Sequence, residues 1–233
     1  MTKNGLPPSG LISGYYDQHN IDEQVARGNH RNLVGGKWDA LGKLQLDFLI
    51  ADGLRPEHFL LDIGCGAFRG GAHAVAYLEP ARYFGVDISQ SLMDAGYALE
   101  IVPQGLGSRL PRQNLACSAD FDFPWDVTFD YAIAQSLFTH LPFNLIRYCL
   151  DRLALKTVAG GRFFATYHAV PDDADLMQPR LNKGRETYPI SDPYHYKFRD
   201  LVYACEELPW RASRTPDARW PHPRQKMVCF ERL

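Results

Sequence analysis

One stretch limits what this chain can fold into more than any other: HFLLDIGCGAFRGG, residues 58–71. A short apolar run followed at once by glycines reads as a buried parallel strand turning directly into a helix. Such a strand is covered on both faces, so its neighbours must alternate between β and α. The rest of the chain follows that plan. RYFGVDI, LACSAD, FDYAIAQS and GRFFATYH read as strands two to five, with helical stretches between most of them. The tail adds a helix over 198–207, a short strand near Trp210 and a last strand in KMVCFERL. Upstream, Trp38, Leu41, Leu44, Phe48 and Leu49 recur at helical spacing from Lys37 until Gly53 and Pro56 end the helix.

Length and composition bound the rest. A chain of 233 residues suits one large domain, and residues 37–233 are expected to form it. Residues 1–35 are rich in Gly, Pro, Asn and His and read as an extended or loosely helical lead-in, so 1–36 is expected to serve as a lid or acceptor-site segment. The irregular stretch over about 169–197 is longer than the roughly 15 residues of an idle loop, and an insert of that size is expected to bind something. With 45% hydrophobic and 22% charged residues the balance is that of a soluble globular protein. A net charge of -2 and the lack of a Lys/Arg run exclude a general attraction to nucleic acid. MTKNGLPPSG lacks the apolar core of a signal peptide, and no stretch approaches the roughly 18 apolar residues of a membrane span. A cytoplasmic protein without a membrane partner is expected. The five cysteines are scattered, form no CxxC and have no His at finger spacing, so they read as reduced and structural, with no metal.

In a parallel α/β sheet, ligands lie beyond the carboxyl ends of the strands where strand order reverses. Asp62, Gly64 and Gly66 fall at that place. Glycine lets the backbone approach a ligand, and the helix that follows presents unpaired N–H groups. Asp87, ending strand two, suits a ribose diol, although it would equally cap a helix starting at Ser89. The dinucleotide pattern GxGxxG would need glycine where Arg69 stands. Asp62 would repel a pyrophosphate but suits a ligand with an ammonium group and a sulfonium.

With these residues in place, LLDIGCG resembles motif I of the class I, Rossmann-like methyltransferases that use S-adenosylmethionine, GVDIS their ribose-binding motif and FDYAIAQSLFTHL their motif IV. VGGKWDALGKLQLDFL, LRPEHFLLDIGCGAFRGG and HPRQKM together resemble a bacterial group of small-molecule and glycan modifiers. The resemblance covers residues 30–233. It implies a seven-stranded, mostly parallel sheet with helices on both faces and an antiparallel last strand. It also implies that Asp62, Gly64, Cys65 and Gly66 hold the methionine part of the cofactor, Asp87 the ribose, Ile88 and Asp120 the adenine (Asp122 being the rival to Asp120), and that Gln135 and Ser136 face the methyl group.

For a hydroxyl acceptor an imidazole is the usual base near neutral pH. Of the eight histidines, His140 in QSLFTHLP is the first choice, with His168 and His195 as acceptor-site candidates; a structural role is the alternative for each. Arg31 and Arg69 are candidates for an acidic acceptor group, because guanidinium binds carboxylate and phosphate in bidentate fashion. Motif IV carries no NPPY or DPPY, which disfavours methylation of planar nitrogens. The expected acceptor is an oxygen of a small polar molecule or sugar. The competing readings are a nucleotide-dependent oxidoreductase and a catalytically silent, methyltransferase-like binding subunit.

Overall fold

The structure, a computed structural model, describes residues 13–233; residues 1–12, the start of the segment expected to act as a lid, lie outside the described residues. The chain divides into two units: residues 17–133, and residues 134–233 together with 13–16.

The first unit starts with helices. Asp17 caps α1 (Gln18–Ala26) by accepting from the Asn20 amide at 3.2 Å, and α2 (His30–Leu33) and α3 (Trp38–Asp52) follow. The lead-in is thus more helical than its composition indicates, because one Asp supplies the N-terminal signal. α3 ends where expected, at Gly53 with φ 114°. Four strands then alternate with helices: β1 (Leu60–Ile63), α4 (Gly71–Tyr77), β2 (Tyr83–Asp87), α5 (Gln90–Gly96), β3 (Leu115–Cys117) and β4 (Phe129–Ala134). β1 is buried throughout and lies parallel to β2 on one side and β4 on the other, with Asp62 opposite Gly85 and Ile133. Strand order therefore reverses at β1. α5 runs on into a π-helical turn, Tyr97–Ile101. α1 and α2 pack on α5, and α3 on α4.

The second unit carries α6 (Phe143–Ala154), β5 (Thr157–Ala169), the hairpin β6 (Arg180–Asn182) and β7 (Arg185–Thr187), β8 (His195–Tyr196), α7 (Phe198–Ala204), β9 (Trp210–Arg214) and β10 (Lys226–Arg232). β10 is antiparallel to both β5 and β9. Phe138, Phe163 and Phe230 are fully buried, and Phe163 stacks on Phe230 with centroids 5.6 Å apart. Each such ring contributes about 1.5–3 kcal/mol on burial. The insert over 169–197 is not a bare loop, since it folds into the hairpin and lays β8 beside β5. The sheet order is β3-β2-β1-β4-β5-β10-β9 with β8 as an added partner of β5. The mostly parallel, seven-stranded α/β sheet with an antiparallel last strand is as expected; the two-residue β8 is additional.

Backbone approach is close where α5 meets the loop after β1. A Cβ on Gly96 would lie 2.6 Å from Ala67 Cα, a backbone neighbour that cannot swing away. Gly96→Ala is therefore expected to cost about 1–3 kcal/mol by overpacking, lowering Tm by about 2–10 °C, whereas Gly107→Ala, whose Cβ would meet only Tyr97 Oη at 3.6 Å, should melt like the wild type. Equal melting curves for the two variants would contradict this packing.

Candidate functional site

In the first unit, the turn from β1 into α4 is built on left-handed glycines, Gly64 at φ 76° and Gly66 at φ 53°. Gly64 and Cys65 both donate their amides to Val86 O, at 2.8 and 3.1 Å, which ties the loop to the end of β2. The Gly66 amide donates to Asp87 Oδ2 at 2.8 Å, and the Ser89 amide to Asp87 Oδ1 at 2.9 Å. Asp87 is thus not the helix cap. That role belongs to Ser89, whose hydroxyl accepts from the Leu92 amide at 3.2 Å. Asp87 instead joins strand two to the glycine loop. Its burial pushes its carboxyl above the usual range, against the amides of Ser89, Gly66 and Ile88.

Asp62 lies beneath this loop, 5% exposed, and accepts from the Tyr83 hydroxyl at 2.7 Å. Burial raises its carboxyl to about 7, and the nearby Asp87 adds to the rise, while Tyr83 and Arg69 oppose it. Cys65 is buried and its thiol is pushed well up by burial. Ile88 is half-buried, and its carbonyl accepts from the exposed Cys117 at 3.4 Å. Asp120 and Asp122 are both exposed on a turn held by the Ser118 hydroxyl, which accepts from both of their amides. Both arginine candidates are engaged within this unit. Arg31 grips Glu100 through Nε and Nη2, each at 2.7 Å. The buried Arg69 donates through Nη1 to Val34 O and Gly36 O.

The second unit gathers polar groups where β4 and β5 end. Ser136 has φ 64° and donates its amide to Thr166 Oγ1 at 2.7 Å. Gln225 Oε1 accepts from Gln135 Nε2, Ser136 Oγ and Thr166 Oγ1, at 3.1, 3.0 and 2.8 Å. Gln135 Oε1 is buried and has no hydrogen-bond partner. His140 Nδ1 lies 2.6 Å from Asp192 Oδ1, and Asp192 Oδ2 accepts from Ser13 Oγ at 2.6 Å. Burial would raise Asp192, but the bonds from His140 and Ser13 and the His140 charge hold its carboxyl below the usual range. An ionised carboxylate only accepts, so His140 donates to it through Nδ1.

The other two histidines differ. His168 is buried, and burial lowers it to about 4, with the positive charges of His140, Arg185 and Arg224 contributing; it is neutral at physiological pH. His195, opposite it in β8, has both nitrogens engaged, Nδ1 with Thr187 Oγ1 and Nε2 with Leu176 O, each at 2.9 Å. Sequence reading missed Asp192, Thr166 and Gln225. HPRQKM had marked the neighbourhood of Gln225, but nothing in the spacing marks Asp192, 52 residues from its histidine.

Solved structures share this strand order. A putative O-methyltransferase from Nostoc punctiforme is similar over 99% of this chain and 65% of its own, with TM-score 0.68 and 16% identity. The class I methyltransferase fold is the one this chain adopts. The same methyltransferase fold matches the magnesium protoporphyrin IX methyltransferase of Synechocystis, solved with bound S-adenosylmethionine (97% of this chain, 86% of that one, TM-score 0.58, 14% identity). It also matches the glycopeptide N-methyltransferase MtfA (82% and 93%, TM-score 0.58, 14% identity). No protein-family model matches the chain. Among the described residues no cluster of three His, Cys, Asp or Glu is placed to hold a metal, and no helix is long and apolar enough to cross a membrane.

The raised carboxyl of Asp62 has a consequence for stability. The folded state keeps a proton up to about pH 7 that the unfolded chain releases near pH 4. That contribution is fully present below about pH 4 and is lost as pH rises through about 7. Asp62→Asn, which keeps an acceptor for Tyr83, should therefore gain in Tm over the wild type as pH goes from 5 to 8. A Tm difference that stays constant over that range would contradict the assignment.

Proposed function

We propose that this protein is an S-adenosylmethionine-dependent methyltransferase acting on a hydroxyl oxygen of a small polar molecule or sugar. The observation that carries the cofactor reading is the pair of acidic side chains, buried Asp62 and half-buried Asp87, at the ends of β1 and β2 around a left-handed glycine loop. Two carboxylates and no third glycine make a poor cradle for a pyrophosphate. They suit an ammonium group and a ribose diol, and an ammonium beside Asp62 would restore its ionisation. In this reading Asp62, Gly64, Cys65 and Gly66 hold the amino-acid end, Asp87 the ribose, and Ile88 and Asp120 the adenine, with Gln135 and Ser136 toward the reacting end. The bound cofactor supplies a methyl group activated by its sulfonium.

The remaining chemistry belongs to the protein. A hydroxyl must lose its proton as its oxygen takes a methyl, and His140 Nε2 is the acceptor for that proton. Asp192 fixes the tautomer and stabilises the imidazolium that forms. The engagement of Arg31 with Glu100 and of Arg69 with backbone carbonyls favours a hydroxyl over an acidic acceptor.

Asp87→Ala should reduce affinity for S-adenosylhomocysteine by about 10- to 100-fold, because hydrogen bonds to a charged group contribute about 1.5–3 kcal/mol. Calorimetry measures this, and unchanged affinity in folded protein would remove Asp87 from the site. Transfer of a labelled methyl group to fractionated polar metabolites and glycans identifies the acceptor. With that acceptor, His140→Ala should lower turnover by about 10²–10⁴, with a loss that shrinks at high pH. A pH-rate profile that matches the wild type would assign His140 to structure.

A further inference from the structure

The segment between α1 and α3 lies directly on the glycine loop. A Cβ on Gly66 would meet Val34 Cγ1 at 2.7 Å, so the Val34 side chain occupies the space that the glycine leaves open. Gly66 is also the residue whose amide holds Asp87. Val34 therefore covers the loop that the cofactor reading identifies as the binding loop, and the inference below rests on that reading.

Two clasps hold the segment down. At its start the buried Glu100 accepts from Arg31 through two bonds of 2.7 Å and pairs with His30 Nε2 at 2.7 Å. Glu100 sits on the π-helical turn that extends α5, the kind of widened turn that recurs at functional sites. At its end Arg69, anchored just beyond the glycine loop, donates to Val34 O and Gly36 O. From the second clasp into α3 the chain passes through three consecutive left-handed residues, Gly35 at φ 86°, Gly36 at φ 59° and Lys37 at φ 46°. Two glycines give rotational freedom, and a left-handed lysine is a conformation that the surroundings must hold in place. A short covering element, charged clasps and a glycine pivot together make a strap.

We infer that residues 29–37 form a strap over the cofactor loop, latched by Arg31, His30 and Glu100, and that its opening limits cofactor entry and exit. Arg31, expected from the sequence to bind an acceptor, becomes a latch residue. The strap carries its own reporter, because the Arg31 guanidinium lies 4.8 Å above the Trp38 ring and His30 meets the same ring edge-on at 6.1 Å.

The test is stopped-flow mixing with S-adenosylhomocysteine, followed by tryptophan fluorescence, on the full chain and on Glu100→Gln and Arg31→Gln. Arg31 is half exposed, so Arg31→Gln keeps the test open if Glu100→Gln folds poorly. The observed association rate of the wild type should level off at high ligand concentration, at the opening rate. In the variants that plateau should rise by about tenfold and dissociation should quicken by a similar factor, leaving Kd within about threefold. In the wild type, ligand binding should slow amide exchange over residues 29–37. Rates that climb linearly with concentration and are unchanged in both variants would overturn the strap, as would weaker binding with no change in the entry rate. If the wild type does not bind S-adenosylhomocysteine in calorimetry, the cofactor reading falls first and the strap with it.

Discussion

The hydrogen bond from the Gly66 amide to Asp87 Oδ2 is the contact on which the first unit of this protein depends. It forms only because Gly66 adopts a left-handed backbone and because β1 and β2 lie parallel in a register that brings Asp62 opposite Gly85. It opposes the burial that pushes the Asp87 carboxyl above its usual range. Asp62, which is more deeply buried, has one hydroxyl as its side-chain donor, and its carboxyl is raised to about 7.

The second unit solves a different problem with the same means. Gln225 Oε1 receives three donors and fixes Gln135, Ser136 and Thr166 as one network. Ser136 is held at a positive φ within it. His140 is oriented separately through Asp192 and Ser13. The contrast with His168 and His195 is instructive. Burial leaves His168 neutral, and two hydrogen bonds commit His195 to holding the insert together, whereas His140 is oriented through Nδ1 by a carboxylate.

What could be read in the sequence and what could not follows from the range of the interactions. HFLLDIGCG announced β1 and its turn because an apolar run and left-handed glycines are local requirements, and Gly53 ended α3 for the same reason. The carboxylates at the strand ends were legible because their positions are set by the strands themselves. Asp192 was not, since its role arises only when an insert folds back across 52 residues. The partners of Arg31 and Arg69 were equally hidden. An arginine beside a loop looks like an anion binder until the fold brings Glu100 to one and two backbone carbonyls to the other. β8 is two residues long and carries no periodicity to detect.

The central claim is that the carboxylate pair and the glycine loop select a sulfonium cofactor over a dinucleotide. Titration calorimetry of the full chain with S-adenosylhomocysteine, and in parallel with NAD and NADP, tests it most directly. The account predicts saturable one-site binding of S-adenosylhomocysteine and no heat of binding from either dinucleotide. Saturable binding of NAD or NADP with none of S-adenosylhomocysteine would contradict it.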